Sequence, residues 1–420
     1  MTYHLSILIY FVSLPHRIDL KHDFTLMKDF NFYAPTRIVF GSSSEEQLPA
    51  LIRQYGGSKV LVHYGGGSAR RYGLLDKVEK MLNDAGIPFV ELGGVVPNPL
   101  LSKVKEGIGL CCKEEVDFIL AVGGGSVIDS AKAIAYGVPY EGDVWDFWDG
   151  KAVPSKCLPI GVMLTIPAAG SEMSSSTVIT RDEGMLKRGF NSDLCRCKFA
   201  IMNPERTYTL PPYQTAAGVT DIMMHTMERY FSKYEDATLT DAISEALLRT
   251  VKDAVFEVLK NPEDYRNRAQ IMWASSLAHN DLTECGTEKD FACHKLEHEL
   301  SGLFGVTHGA GLASLWPSWA RLMMDRHLSR FVQFAVNVMG VRNDFSDPRA
   351  TALKGIEAIE RFYHAIGMPT SIPELIGRSA TDEEIKEMVR KCSRDGKITI
   401  GAMEVLHEEE MERVYRAANK

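Results

Sequence analysis

Residues 118–132 read FILAVGGGSVIDSAK, and this stretch decides the class of fold. Phe118 to Val122 is a short apolar run typical of a buried strand; three glycines follow it, and a helical pattern comes next. Glycines between a strand and a helix let the backbone approach a ligand closely, and the helix start presents free N–H groups to an anion. The stretch therefore predicts a βα unit with a phosphate cradle. Because it matches neither the G-x-G-x-x-G motif nor a Walker A loop, a plain strand-to-helix turn stays an alternative.

The alternation of strand and helix continues on both sides of this stretch. Two further β-rich runs precede helical patterns, at 60–63 and 89–92. Such alternation indicates βαβ units and a parallel sheet. After Leu210, apolar residues recur at helical spacing and β-branched runs become scarce. We therefore predict an α/β domain over 27–210 and an all-helical domain over 211–420, packed directly together with a cleft between them.

The composition is that of an ordinary globular protein, with 45% hydrophobic residues, 24% charged residues and a net charge of −8. A mildly acidic chain without a basic block argues against nucleic acid or a membrane surface as its partner. The eight cysteines show neither C-x-x-C spacing nor a disulfide framework, so we expect free thiols in a reducing cytoplasm. No run reaches the ~18 apolar residues that a transmembrane helix needs.

A second glycine-rich stretch, GGGSARR at residues 65–71, follows the strand predicted at 60–63. In a dinucleotide-binding fold, an acid after an early strand binds the ribose 2′-hydroxyl of NAD, whereas an arginine suits the 2′-phosphate of NADP. No acid follows this strand, but Ser68, Arg70 and Arg71 do. The pattern favours NADP over NAD, unless the two arginines are solvated helix residues.

The helical half carries histidines and a carboxylate at helical spacing. Asp221 and His225 are four residues apart, as are His294 and His298, so each pair shares a helix face. Imidazoles with one carboxylate suit Zn²⁺ or Fe²⁺. Asp221, His225, His294 and His308 could therefore ligate a metal, leaving His298 free one turn away. Each histidine taken singly could equally be a satisfied polar residue.

Glu297 and Glu299 flank His298, and successive residues of a helix point in different directions. We therefore expect these two carboxylates to be solvated or to lie behind the metal ligands. A phosphate cradle on an α/β domain and a metal cluster on a helical domain together predict hydride transfer. The metal would polarise an alcohol or carbonyl oxygen, and the nucleotide would carry the hydride.

Seven stretches in order along the chain resemble the iron-containing (group III) alcohol dehydrogenases, especially the NADPH-dependent butanol dehydrogenase and aldehyde reductase branch. They are FYAPTRIVFG, YGGGSARRYGLLDKV, GGVVPNPLLSKV, AVGGGSVIDSAKAIA, LTIPAAGSEMSSSTVIT, YTLPPYQTAAGVTDIMMHTMERYF and HKLEHELSGLFGVTHGAGLA. They run from about Phe30 to Leu312, a span of about two-thirds of the chain. The resemblance implies a dehydroquinate-synthase-like fold, with a Rossmann-like amino-terminal domain and a helical carboxy-terminal domain.

The resemblance also implies roles for individual residues. The family's metal ligands fall on Asp221, His225, His294 and His308. Its phosphate-contacting loop falls on Gly123, Gly124, Gly125, Ser126 and Asp129. Its nicotinamide and ribose contacts fall on Thr165, Pro167, Gly170 and Ser171, with Lys132 and Asn98 lining the cofactor region, and its 2′-phosphate contacts on Gly65 and Ser68. Arg70 and Arg71 stand where aldehyde reductase relatives carry lysines, which keeps the charge. His298 is implied to be a proton shuttle near the nicotinamide, or else a packing residue behind the metal.

The implied activity is metal-dependent hydride transfer between NADP(H) and a primary alcohol or aldehyde, such as butanol or butanal. The implied enzyme is a cytoplasmic homodimer with one Fe²⁺ or Zn²⁺ per chain, and NAD(H) stays open as the coenzyme. Two alternatives also stay open. One is a glycerol-dehydrogenase-like polyol dehydrogenase or a dehydroquinate-synthase-type lyase, with zinc and NAD; the other is a non-catalytic relative of the enzyme.

Residues 1–26 have no counterpart in the resemblance. The apolar run LSILIYFVSL at 5–14 imitates the core of a signal peptide, but no Lys or Arg precedes it and no small-x-small cleavage site follows it. Met27 opens a stretch typical of the start of a globular domain. We therefore expect residues 1–26 to be an extension outside the fold that arises from an upstream start codon.

The intact mass of the protein made from its native locus tests this expectation. A chain that begins at Met27 is the expected result, and a mature chain that begins at Met1 would contradict it.

Overall fold

The computed structural model describes residues 27–420, so the predicted extension at 1–26 lies outside the described residues. The strands are β1 (Arg37–Phe40), β2 (Val60–Gly65), β3 (Phe89–Val95), β4 (Phe118–Gly123), β5 (Ile160–Leu164), β6 (Ser176–Arg181), β7 (Leu186–Asn191) and β8 (Phe199–Met202). Six of them form a parallel sheet in the order β1-β8-β5-β4-β2-β3, and β6 and β7 form an antiparallel hairpin. Every residue of β4 is buried, as expected for a strand in the middle of a parallel sheet covered on both faces.

Helices separate the strands and make up most of the chain after β8. They are α1 (Leu48–Gln54), α2 (Ser68–Arg71), α3 (Leu74–Asp84), α4 (Leu101–Glu114), α5 (Gly125–Gly137), α6 (Pro212–Tyr230), α7 (Thr238–Lys260), α8 (Tyr265–Ala278), α9 (Ala292–Phe304), α10 (His308–Met323), α11 (Leu328–Asn337), α12 (Pro348–Ala365), α13 (Ile372–Ile376), α14 (Asp382–Cys392) and α15 (Glu408–Ala418). The predicted architecture, an α/β region with a parallel sheet followed by a helical region, is confirmed. The exact domain limits at 27–210 and 211–420 stay a prediction. Among residues 27–420, no helix has the length and apolar character needed to cross a membrane.

The sheet has a topological switch point between β2 and β4. These two strands are neighbours, with Val60 paired to Phe118 and Tyr64 to Val122, while β3 lies on the far side of β2. The chain therefore leaves β2 in one direction and returns on the other side. In open α/β sheets, ligands bind in the crevice outside the carboxyl ends of the strands at such a point. Both glycine-rich stretches, 65–67 and 123–125, follow these two strands and so lie at this crevice.

Helix α5 anchors the segment that leads from β5 into β6. The side chain of Lys132 is fully buried. Its ammonium group donates to the carbonyl oxygens of Ser171, Ser174 and Ser176 at 2.7, 2.9 and 2.8 Å. One turn earlier, the carboxylate of Asp129 accepts from the Ser171 hydroxyl at 2.6 Å. These contacts hold residues 171–176 against α5.

The hairpin β6–β7 joins the α/β region to the helical region. Lys187 Nζ lies 3.3 Å from Glu297 Oε2, and Arg188 Nη1 donates to Glu299 Oε1 at 2.8 Å. Both glutamates belong to α9, and both are buried. Of the two expected places, solvent or behind the metal ligands, these carboxylates are not in solvent: Glu297 lies behind His308, and cations from the hairpin compensate both charges inside the protein.

The carbonyl cluster around Lys132 generates a stability prediction. We expect Lys132→Met to lower the free energy of unfolding by roughly 3 kcal/mol, because buried carbonyl oxygens would lose their donor. Urea-induced unfolding followed by tryptophan fluorescence measures this change. Lys80→Met removes a lysine whose side chain is 73% exposed and serves as the control. An unchanged unfolding midpoint in Lys132→Met would show that the ammonium group does not hold the segment.

Candidate metal and coenzyme site

The imidazole rings of three predicted histidines lie around one carboxylate oxygen of the predicted Asp221. Asp221 and His225 lie one turn apart on α6, His294 lies on α9, and His308 is the first residue of α10. Asp221 Oδ1 is 3.4 Å from His225 Nε2, and 3.7 Å from the Nε2 atoms of His294 and His308. Ligands about 2.1 Å from a tetrahedral Zn²⁺ would lie roughly 3.4 Å from one another. The ligand atoms of Asp221, His294 and His308 lie within 4.8 Å of one another, and His225 Nε2 adjoins them through Asp221. This spacing fits a first-row divalent ion.

The polar atoms of this cluster lack partners within the protein. Asp221 Oδ1 and His294 Nε2 are buried and accept or donate no hydrogen bond among the described residues. Buried polar groups without partners are rare in native structures and call for an explanation such as an ion. A divalent cation between one carboxylate and three imidazoles supplies that explanation, so the residues present fit a metal.

Two further carboxylates orient the imidazole rings. His294 Nδ1 donates to Glu228 Oε2, and His308 Nδ1 donates to Glu297 Oε2. These bonds place the proton on Nδ1 and direct each Nε2 lone pair towards Asp221, which is the usual arrangement behind metal-ligating histidines. Burial alone would lower the pKa of His294, but the Glu228 and Asp221 carboxylates raise this pKa to about 9. The pocket therefore stabilises positive charge at the place where a metal would sit.

Close backbone contacts bring the surrounding elements onto α6. A Cβ atom at Gly309 would lie 2.0 Å from the carbonyl oxygen of Ala217, and one at Gly218 would lie 2.6 Å from that of Pro167. Only glycine fits at these two positions. Gly309 lets the start of α10, with His308, reach Asp221, and Gly218 lets the segment after β5 lie against α6.

His279 is a site residue that the sequence analysis missed. It follows the end of α8, and its ring stacks on that of His225 with centroids 4.1 Å apart. His279 Nδ1 lies 2.6 Å from the carbonyl oxygen of Ala169. The side chain thus connects the segment around Pro167 and Gly170 to the metal cluster. A single histidine 54 residues after His225 has no spacing relation that could have revealed it.

Lys187 is a second residue that the sequence analysis missed. Its ammonium group is 3.3 Å from Glu297 Oε2 and 3.4 Å from His308 Nδ1, and the side chain is 5% exposed. It enters the cluster from the hairpin, which carries no recognisable motif. Burial raises the pKa of Glu297, but the charges of His308 and Lys187 outweigh this effect and hold the pKa well below its usual value. This carboxylate therefore stays charged.

His298 lies one turn beyond His294, with its ring centroid 5.9 Å from that of His308. It is partly exposed, whereas His294 is buried. Burial, aided by the charge of Lys187, holds the pKa of His298 well below its usual value. The ring is therefore neutral near pH 7 and has an unprotonated nitrogen.

Most of the predicted coenzyme residues lie at or just beyond the carboxyl ends of β2, β4 and β5, the edge of the sheet where the switch point lies. A Cβ atom at Gly66 or Gly67 would meet no atom within 4 Å, so this loop borders open space. The amide of Thr165 donates to the carbonyl of Gly123 at 3.1 Å, which sets the segment after β5 beside the loop after β4. The ammonium group of Lys132 is buried and donates to the carbonyl oxygens of Ser171, Ser174 and Ser176, and its place in the cofactor region stays a prediction.

The remaining predicted coenzyme residues occupy the following positions. Gly123 ends β4, Gly124 precedes α5, Gly125 and Ser126 begin it, Pro167 and Gly170 follow β5, Asn98 precedes α4 with a positive φ of 56°, Gly65 ends β2 and Ser68 begins α2. The start of α5 therefore presents its free N–H groups to the crevice. Asp129 and Ser171 hydrogen-bond to each other and shape the crevice wall.

The two arginines of the GGGSARR stretch differ in their surroundings. Arg71 is exposed. The guanidinium of Arg70 contacts Glu91 at 2.7 Å, Glu79 at 2.8 Å and Asp76 at 3.4 Å. No acid follows β2 in the sequence, but the fold brings Glu91 from the neighbouring strand β3 to Arg70. Arg70 is thus not a free solvated residue, because carboxylates from α3 and β3 pair with its guanidinium.

Comparisons with known proteins support one family. Residues 35–204 match the model of iron-containing alcohol dehydrogenases, and residues 215–419 match that of the carboxy-terminal part of the Fe-containing alcohol dehydrogenase family. NADH-dependent butanol dehydrogenase A of Clostridium acetobutylicum is 39% identical over 392 residues, covering 93% of this chain and 99% of the relative. The NADPH-dependent aldehyde reductase YqhD of Escherichia coli is 35% identical over 401 residues, covering 93% of this chain and all of the relative.

A solved structure agrees with this assignment. The crystal structure of NADH-dependent butanol dehydrogenase A from Thermotoga maritima superposes with a TM-score of 0.90 and 36% sequence identity, covering 94% of this chain and 100% of that one. The predicted family is confirmed. The chain belongs to the iron-containing alcohol dehydrogenases, a family of alcohol and aldehyde oxidoreductases, and within them to the butanol dehydrogenase and aldehyde reductase branch.

Proposed function

We propose that this enzyme transfers a hydride between a nicotinamide coenzyme and a primary alcohol or aldehyde, such as butanol or butanal, with one divalent metal ion. The observation that carries the proposal is the set of three imidazole nitrogens around Asp221 Oδ1, at 3.4 to 3.7 Å. The stack of His279 on His225 joins this cluster to the segment beside the coenzyme crevice. The butanol dehydrogenases and the aldehyde reductase among its relatives support the substrate class.

Asp221, His225, His294 and His308 would hold the metal ion, with Glu228 and Glu297 fixing the ring orientations. When bound, the divalent ion supplies a Lewis acid for the substrate oxygen, and the coenzyme supplies or accepts the hydride. Nitrogen and carboxylate ligands accept both Fe²⁺ and Zn²⁺, so the choice of metal follows availability as much as geometry.

The protein's own groups position the reactants and move the proton. The segment from Thr165 to Ser171, anchored from behind by Lys132, forms one wall of the crevice. His298, neutral and partly exposed, would take the alcohol proton to solvent during oxidation and return it during reduction. Its lowered pKa keeps a lone pair available near pH 7.

The coenzyme preference is revised by the surroundings of Arg70. We propose that both NADH and NADPH serve, because Ser68 and Arg71 are exposed beside the glycine loop while the charge of Arg70 is compensated by carboxylates. Among the relatives, the butanol dehydrogenases are named NADH-dependent and the aldehyde reductase NADPH-dependent. The cytoplasmic location and the homodimer stay predictions.

The activity and the metal site are tested together. Protein purified without air should contain one Fe²⁺ or Zn²⁺ per chain by elemental analysis and should oxidise NADH or NADPH in the presence of butanal. Asp221→Ala should lose the metal and lower turnover by roughly 1,000-fold, because several kcal/mol of transition-state stabilisation disappears. Asp84→Asn, which changes an exposed carboxylate on α3, should keep both properties. A variant at Asp221 that is metal-free yet active would overturn the proposal.

The proton-transfer role of His298 has its own test. His298→Ala should keep its metal and lower kcat by about 100-fold, the contribution typical of general acid–base catalysis. Steady-state kinetics between pH 6 and 9, with elemental analysis of the same samples, measures both properties. His364→Ala, which removes an exposed histidine paired with Glu374, is the control. Near-full turnover of His298→Ala across this pH range would reject the shuttle and leave a packing role.

A further inference from the structure

Three carboxylates surround the arginine beside the glycine loop of the coenzyme crevice. Glu79 and Asp76 come from α3 and Glu91 comes from β3, whereas Arg70 and Arg71 end α2. These are two positive and three negative side chains, a net charge of −1. We infer that Glu79 and Glu91 set the coenzyme discrimination by holding the Arg70 guanidinium away from the ribose 2′-phosphate. The inference rests on the proposed use of a nicotinamide coenzyme.

The position of Glu91 in the sheet determines where Arg70 points. Glu91 pairs with Val62 of β2, three residues before Gly65, where the strand ends and the glycine loop begins. At about 3.3 Å per residue, this pair lies roughly 10 Å from the loop along the strand. The Arg70 side chain therefore turns back along the sheet, over the ring of Tyr64, with 5.8 Å between the guanidinium carbon and the ring centroid.

Several weak contacts act on the same guanidinium. Arg70 is 46% exposed, and Glu79 and Glu91 are 25% and 30% exposed, so each ion pair alone is screened by solvent. Two carboxylates on one planar guanidinium, with an aromatic ring beneath it, hold it better than either pair alone. Glu79 and Glu91 are thus positioning residues that act through Arg70.

A 2′-phosphate would meet an unfavourable local field. It brings about two negative charges towards a surface where three carboxylates already exceed two arginines, and at roughly 10 Å this repulsion is partly screened at physiological salt. NAD(H) carries a hydroxyl at this place and does not suffer this repulsion. The carboxylates therefore lower the affinity for NADP(H) mainly by occupying Arg70, and to a smaller extent by screened repulsion of the phosphate.

Binding of two adenine nucleotides tests this inference without metal or turnover. Adenosine 2′,5′-bisphosphate and adenosine 5′-monophosphate differ only in the 2′-phosphate, so the ratio of their dissociation constants by calorimetry reports the contribution of that group. In Glu79→Gln/Glu91→Gln this ratio should shift by about tenfold or more towards the bisphosphate, the effect of one new charge-assisted hydrogen bond. The control Asp84→Asn/Glu114→Gln removes two charges from surface ion pairs with lysines and should leave the ratio unchanged.

Removal of Arg70 distinguishes the positioning role of Glu79 and Glu91 from a direct effect of their charges on the phosphate. Arg70→Ala should change the ratio by less than about twofold in the wild-type background, but should reduce the tenfold gain of the Glu79→Gln/Glu91→Gln background to about twofold or less, the part left to screened repulsion. A tenfold gain that persists in full without Arg70, or a large loss in the single Arg70→Ala variant, would overturn the inference. An unchanged ratio in the double glutamine variant would overturn it too. Absence of binding of both nucleotides would instead contradict the proposed coenzyme, and the inference with it.

Discussion

The close approach of other elements to the backbone of α6 is the constraint on which the site depends. Its residues from Thr215 to Tyr230 are all buried, so every neighbour must fit against a fixed surface. At Gly309 and Gly218, other parts of the chain come so near that a single methyl group would overlap a carbonyl oxygen. The contact at Gly309 brings His308 to Asp221, and the contact at Gly218 brings the crevice wall to the same helix. Small residues at these contacts, Ala217 and Gly218 on α6, thus let the metal cluster and the crevice wall lie next to each other.

The parts of the site that the sequence predicted are those with a local pattern. Asp221 and His225 share a helix face at four-residue spacing, and the glycine stretches follow strands, so periodicity and chain order place them. Glu228, His279 and Lys187 carry no such signal. Lys187 lies 121 residues from His308 and Ala169 lies 110 residues from His279. Only the packing of distant elements brings these groups together.

Charge compensation between elements explains surroundings that the sequence alone did not specify. Glu297 and Glu299 were expected to be solvated or to lie behind the metal ligands, since neighbouring residues of a helix point in different directions. They are buried because Lys187 and Arg188 arrive from the hairpin with opposite charge. Arg70 was expected to meet a phosphate or water, and instead meets an acid from the adjacent strand. In each case the partner belongs to another element, and a motif read along the chain does not reveal it.

The hairpin that supplies these cations also bears on how the protein folds. Its two strands belong to the part of the chain before the helical region, yet its side chains compensate carboxylates inside that region. A helical region cut away from the hairpin would bury Glu297 and Glu299 without the cations that face them, at a cost of several kcal/mol for each unpaired charge. The two regions, although separate in architecture and in chain order, are therefore interdependent folding units, and neither could be exchanged for the equivalent part of a relative without carrying its share of these ion pairs along.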